Sequence, residues 1–225
     1  NGNKSPNAAF QDIEIKNPEI DAEVIATIND ELLTVTVDWE EYKEDIDFTD
    51  GAFSLPLKFY KIKRGQRDDI NDNSTMQGFN DADILSRGTL MATEFKEQLV
   101  RSNNPDENTI YRYYIQPVDI FGNAGTVRDV DVEIERPNNI SNLSTEVIDN
   151  NVLLRFDDAT NPNGLPMKHY VIKKTKKATN GTFENFNDAE LLGKIQGTFF
   201  VSFEDTSGVY KYFVQAVDVL GMTSE

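Results

Sequence analysis

The sequence predicts an all-β protein of two β-sandwiches in tandem, and three observations carry that prediction. Apolar and polar residues alternate at period two: Leu33, Val35, Val37 and Trp39 are interleaved with Thr34, Thr36 and Asp38, the pattern of a strand with one buried face. The same alternation returns in Tyr111, Tyr113 and Ile115, and in Tyr210, Tyr212, Val214 and Ala216. Second, these β-rich runs are short and bounded by Asn, Asp, Gly and Pro. Third, the chain repeats itself over about 100 residues, the size of one sandwich.

The repeat is read from four collinear matches. Gly122-Asn123, then Val130-Asp131-Val132-Glu133-Ile134 and Pro137, matches Gly2-Asn3, then Ile13-Glu14-Ile15 and Pro18. The run from Leu55-Pro56 to Lys61-Ile62 matches that from Leu165-Pro166 to Val171-Ile172. Phe79-Asn80-Asp81-Ala82 matches Phe186-Asn187-Asp188-Ala189, and Tyr111 to Asp119 matches Tyr210 to Asp218. Residues 1–18 therefore read as the end of a preceding repeat with its linker, 19–136 as domain 1, and 137–225 as domain 2. The offset falls from about 120 residues to 110, 107 and 99, which assigns three insertions to domain 1. Domain 2 lacks its last strand after Glu225, and the absence of an initiator Met fits a piece of a longer protein. The segment 81–85 and its copy 188–192 read as a helical turn or as a turn entering an edge strand. Propensity would allow a helix over 92–100, but its partner at 197–203 is plainly a strand, so a strand is expected in both.

Composition excludes several functions. The 225 residues hold 39 acids against 22 Lys and Arg, a net charge of −17, with one His and no Cys. Without cysteine there is no disulfide scaffold, zinc-thiolate site or cysteine nucleophile. The charge has the wrong sign for duplex nucleic acid. No apolar run reaches the length of a membrane span. His169 stands alone, which leaves little for acid–base or nucleophilic catalysis. No phosphate loop, nucleophile elbow or metalloprotease motif occurs. The expectation is a non-enzymatic protein with no catalytic residues.

Three further features resemble the fibronectin type III family. Trp39 closes the second strand; Tyr60-Lys61-Ile62-Lys63-Arg64 looks like the third. Tyr111-x-Tyr113-x-Ile115-x-Pro117-Val118 and Tyr210-x-Tyr212-x-Val214-x-Ala216-Val217 look like the sixth, with Tyr111 and Tyr210 at the tyrosine corner. Domain 2 is expected to carry Asp158 in place of Trp39, and neither repeat has the usual Leu-x-Pro before the corner tyrosine. The resemblance implies two tandem fibronectin type III-like sandwiches. Val118-Asp119-Ile120-Phe121-Gly122-Asn123 and its copy ending Val219-Leu220-Gly221 are further similar to repeats of phage tail-tip and host-specificity proteins. That implies a virion tail location, neighbouring tail proteins in a threefold assembly, and a host receptor or glycan as partner. The alternative is an accessory region of a secreted bacterial adhesin or glycan-active enzyme at the cell surface.

Two candidate sites follow. Asp69-Ile70-Asn71-Asp72-Asn73 spells a calcium-linker pattern of hard oxygen donors. In tandem sandwiches this loop would face Asp157 and Asp158 of the next domain; the alternative is a solvated polar loop. Calcium is the one cofactor candidate. The insertion at 38–50 mixes Glu40, Glu41, Glu44, Asp45 and Asp47 with Tyr42 and Phe48, a possible partner-binding surface. Its alternative is that the aromatics fold back on the sandwich. Residues 1–135 carry 28 acids and 13 bases, and residues 136–225 carry 11 and 9, so the negative charge belongs to domain 1.

Overall fold

The computed structural model describes residues 14–44, 52–68, 75–86, 90–101, 104–178 and 181–225. The described residues are all strand, turn and loop, with no helix and hence none long and apolar enough to cross a membrane. Among the described residues, fifteen strands form two pairs of sheets and one small ribbon.

In the first half, β2 (Ile25–Asn29), β3 (Thr34–Asp38) and β7 (Glu94–Gln98) form an antiparallel sheet in the order β2-β3-β7. Opposite it lie β5 (Leu57–Asp68), β6 (Asp83–Ile84), β8 (Thr109–Asp119) and β9 (Arg128–Ile134), in the order β6-β5-β8-β9. The alternating residues read from the sequence fill the space between them: Val35 and Val37 from one sheet, and Tyr60, Ile62, Tyr113 and Ile115 from the other. A short ribbon pairs β1 (Glu14–Lys16) in parallel with β4 (Ala52–Ser54).

The second half repeats the plan. The strands β10 (Ser144–Ile148), β11 (Asn151–Arg155) and β14 (Phe199–Phe203) form one sheet. The other joins β12 (Met167–Lys176), β13 (Glu190–Ile195) and β15 (Tyr210–Asp218) in the order β13-β12-β15. Val152, Leu154, Phe156, Tyr170, Ile172 and Ala216 make its core.

The repeat extends to fine detail. The register slips at Lys58 in β5 and at Lys168 in β12, matched positions in the two halves. Lys63 Nζ donates to the Phe79 carbonyl at 2.6 Å and sits over its ring; Lys173 Nζ does the same to Phe186 at 2.8 Å. Both segments read as turn or helix enter edge strands, β6 and β13, and the expected strands at 92–100 and 197–203 are β7 and β14.

One reading is corrected. Phe156, not Asp158, occupies the place of Trp39. Phe156 meets Tyr170 edge-on at 4.9 Å between centroids, as Trp39 meets Tyr60 at 5.3 Å. The backbone N–H groups of Trp39 and Phe156 donate to the carbonyls of Thr93 and Thr198. Matching by residue count missed this because loops of different length follow the two aromatics.

Candidate functional site: the joint between the halves

Asp119 and Asp218 close matched turns. Each ends a strand, and each is fully buried. Asp119 Oδ1 accepts from the N–H groups of Phe121 and Asn123 at 2.9 and 2.8 Å, and Oδ2 from the Asn123 amide at 2.7 Å. Asp218 Oδ1 accepts from Met222 N–H at 2.9 Å, and Oδ2 from the Asn161 amide at 3.2 Å. Gly122 and Gly221 follow with φ of 91° and 84°, left-handed backbone that favours glycine.

One substitution between the two turns changes what the second can do. The Asn123 side chain gives its amide to Asp119, whereas the side chain of its counterpart Met222 has no donor to give Asp218. Burial by itself raises a carboxyl pKa, but at Asp119 the bonds from Asn123 and Phe121 outweigh it and hold the group below the ordinary aspartate value. At Asp218 burial wins over the backbone bonds and the nearby Arg101, and the carboxyl is pushed up. The Met222 side chain instead inserts into the core of the first half, where it is fully buried.

Leu165 joins it there, and Val219 and Leu220 pack against the same cluster. Burying a Leu or Met side chain contributes about 1.5–3 kcal/mol, so two of them are a substantial apolar seal. Polar bonds surround it. The Asn161 amide donates to the Glu135 carbonyl at 2.9 Å, and the Asn163 amide to the Glu133 carbonyl at 3.0 Å. The Asn163 side-chain Oδ1 accepts the Glu135 N–H at 2.6 Å. Arg101 Nε donates to the Leu220 carbonyl at 2.9 Å, and Arg136 Nε to the Thr223 carbonyl at 2.7 Å. Thr223 in turn donates its N–H to the Pro105 carbonyl at 2.9 Å and bonds Asp106 through its hydroxyl. Both arginines thus donate to backbone carbonyls, and Arg136 also lies 3.9 Å from the Glu225 carboxylate.

A second recurrent device crosses each half from sheet to sheet. Glu97 Oε1 accepts the Tyr113 hydroxyl at 2.5 Å and Arg64 at 2.9 Å. Glu204 Oε1 accepts the Tyr212 hydroxyl at 2.5 Å and Lys174 at 3.2 Å. Burial, reinforced by the Glu97 bond, pushes the Tyr113 hydroxyl up; burial and Glu204 do the same for Tyr212. Each phenol stays protonated and donates across the sandwich to its glutamate oxygen, a tie from sheet to sheet.

The sequence-derived sites fare as follows. Tyr42 is buried in the first core; its N–H donates to the Tyr60 hydroxyl at 2.7 Å and its hydroxyl to the Leu55 carbonyl at 2.9 Å. It is a core residue and no partner-facing one, because both its polar groups are already satisfied inside. Glu40, Glu41 and Glu44 are exposed, while Asp45, Asp47 and Phe48 lie outside the described residues. Asp69, Asn71 and Asp72 also lie outside them. Asp157 accepts the Asn142 amide at 2.6 Å, and Asp158 the Tyr170 hydroxyl at 3.1 Å. Among the described residues no group of three or more His, Asp or Glu could hold a metal, and what meets the loop at 157–163 is the end of β9. Tyr111 donates its hydroxyl to the Val100 carbonyl at 2.5 Å and Tyr210 to the Thr206 carbonyl at 2.8 Å. His169 sits half-buried on β12, and burial with Lys194 and Lys168 lowers its pKa.

The joint itself was not singled out from the sequence. Asn161, Asn163 and Met222 belong to none of the motifs read from the sequence. The available signal was the mismatch between repeats, Met222 against Asn123. No family model matches the chain, and no curated protein matches it.

Proposed function

We propose that the chain is a pair of tandem fibronectin type III-like sandwiches acting as a stiff, non-enzymatic spacer and binding module of a phage tail tip or fibre. The observation that carries the reading is the joint: Leu165 and Met222 of the second half are built into the core of the first. A flexible tether would leave each core closed on itself. A shared core fixes the angle between the halves, so loops at one end stand at a set reach from the other. The sheet orders, three strands facing four in the first half, and the hydroxyl-to-backbone bonds of Tyr111 and Tyr210 support the family reading. The tail placement is supported by the turn sequences Val118 to Asn123 and Val217 to Gly221. Function comes from sites and not from a fold. The test is immunogold labelling with antibody to this chain. Gold at the tails of particles produced by cells that make the chain is expected. Gold confined to the bacterial envelope, with unlabelled particles, overturns the tail placement.

A further inference from the structure

Among the described residues, β14 pairs with β11 alone, and its match in the first half, β7, with β3 alone. The first half has β9 in its larger sheet and still leaves this edge open, so the edge belongs to the plan of the sandwich. The phase of the pairing shows which backbone groups face it. Phe156 N–H donates to the Thr198 carbonyl and Glu204 N–H to the Asn150 carbonyl, and antiparallel partners exchange bonds at every second residue. Thr198, Phe200, Ser202 and Glu204 therefore turn their N–H and C=O groups to β11. Phe199, Val201 and Phe203 turn theirs to the open side.

The same three residues carry the apolar side chains of the outer face, and they are 46%, 45% and 64% exposed. No charged residue occurs from Ile195 to Phe203. The Arg155 guanidinium lies over the Phe199 ring at 5.0 Å and steadies it. On β7 the residues whose backbone groups face the open side are Glu94, Lys96 and Gln98. Charge of that kind guards an edge against pairing, and β14 has none.

We infer that β14 of one copy pairs with β14 of a second copy, antiparallel, about a twofold axis that sets Val201 opposite Val201. The outward order Phe199, Val201, Phe203 reads the same in both directions, so Phe199 of each copy meets Phe203 of the other. These pairs fall on the residues whose backbone groups face the open side, and each exchanges both N–H···O=C bonds. Leu153 lies beside Val201 on β11, so an aliphatic row runs unbroken across the axis. A slip of two residues would set Phe203 opposite Gly197 or Phe199 opposite Asp205, and a slip of one would turn apolar faces to opposite sides. In the same register β7 would set Lys96 against Lys96, a repulsive pair. Net charge favours the same half. Residues 136–225 hold 11 acids and 9 bases, against 28 and 13 in residues 1–135, so copies meeting through β14 bring together their nearly neutral parts. The strand has five residues, about 17 Å of contact, which is small for a stable dimer. The association is therefore weak and reversible, and being isologous it closes at two copies. It rests on the second half alone and is independent of the tail placement.

Sedimentation of the 225-residue chain at concentrations up to about 1 mM, the weak end of specific association, tests it. The mean mass is expected to rise from one chain toward two and no further. Val201→Lys sets Lys opposite Lys and should weaken the dimer about tenfold or more, and Val201→Glu should do the same. Mixing the two variants should restore the dimer, because this residue meets its own copy across the axis. Amide hydrogen exchange on the unaltered chain gives a reading that needs no variant. The N–H groups of Phe199, Val201 and Phe203 should slow as concentration rises, and those of Glu94, Lys96 and Gln98 should not. A chain that stays monomeric overturns the proposal. So does a dimer unmoved by Val201→Lys, a mixture of the two variants that stays monomeric, or a dimer whose β14 amides exchange as fast as in the monomer.

Discussion

Replacing Met222 with Ala should lower the stability of a half of the molecule to which Met222 does not belong in sequence. Its side chain is fully exposed to the first core and closed to solvent, among Leu165 and the residues around Tyr60. Truncating a buried Met to Ala costs about 2–5 kcal/mol. The site lies at the rim of a joint and can partly collapse, so about 2 kcal/mol is expected. For a chain of this length that is a fall in Tm of about 4–8 °C, and in urea a fall in midpoint of about 1 M. Trp39 is the only tryptophan, in contact with Tyr60 in the first core, so its fluorescence reports the first half alone. The assay is urea unfolding followed by Trp39 fluorescence and by far-ultraviolet circular dichroism. Both midpoints should fall together in the variant. A Trp39 midpoint that does not move would refute the shared core, and with it the stiff joint.

Three other outcomes follow from named contacts. A Cβ on Gly125 would lie 1.5 Å from the Pro18 carbonyl oxygen, so Gly125→Ala must displace backbone and should cost about 1–3 kcal/mol in thermal melts. Tyr42→Phe removes the bond to the Leu55 carbonyl and should cost about 1 kcal/mol, whereas Glu40→Gln and Glu44→Gln, on exposed side chains, should shift stability by less than ~0.5 kcal/mol. The two buried aspartates should respond to acid with opposite signs. Asp119 titrates below the ordinary aspartate value of 3.8 when folded, so its contribution is lost as pH falls through that lower value, and Asp119→Asn should flatten the acid loss of Tm. Asp218 titrates above the same value when folded, so stability falls as pH rises from it, and Asp218→Asn should flatten that fall instead.

The strands were legible because inward positions obey a strict period. Val35 and Val37, Tyr60 and Ile62, Tyr113 and Ile115 are apolar at every second place and buried without exception. Even the ambiguous stretch before Leu99 was settled by its partner, since Phe200 and Val201 could not sit in a helix pattern. The joint was not legible for a different reason. Its bonds run from side-chain amides and guanidinium groups to backbone carbonyls, and no residue pattern encodes which carbonyl is free. Tyr42 shows the same limit from the other side: an aromatic among acids looks like a displayed surface, and only the satisfied hydroxyl and N–H of the folded chain place it inside.

The two halves share a skeleton and differ in what they turn outward. On β7 the outward residues are Glu94, Lys96 and Gln98; on β14, at the matched places, they are Phe199, Val201 and Phe203, all exposed. Among the described residues both strands are sheet edges. Charge on an edge strand discourages pairing with other chains, so β7 is protected by its own side chains and β14 is not. The acidic excess of the first half is therefore a surface property laid over a frame that both halves have in common. Inner positions are held by packing and repeat faithfully. Outer positions are free to diverge, and it is there, at Met222 against Asn123, that one repeat acquires an interface the other lacks.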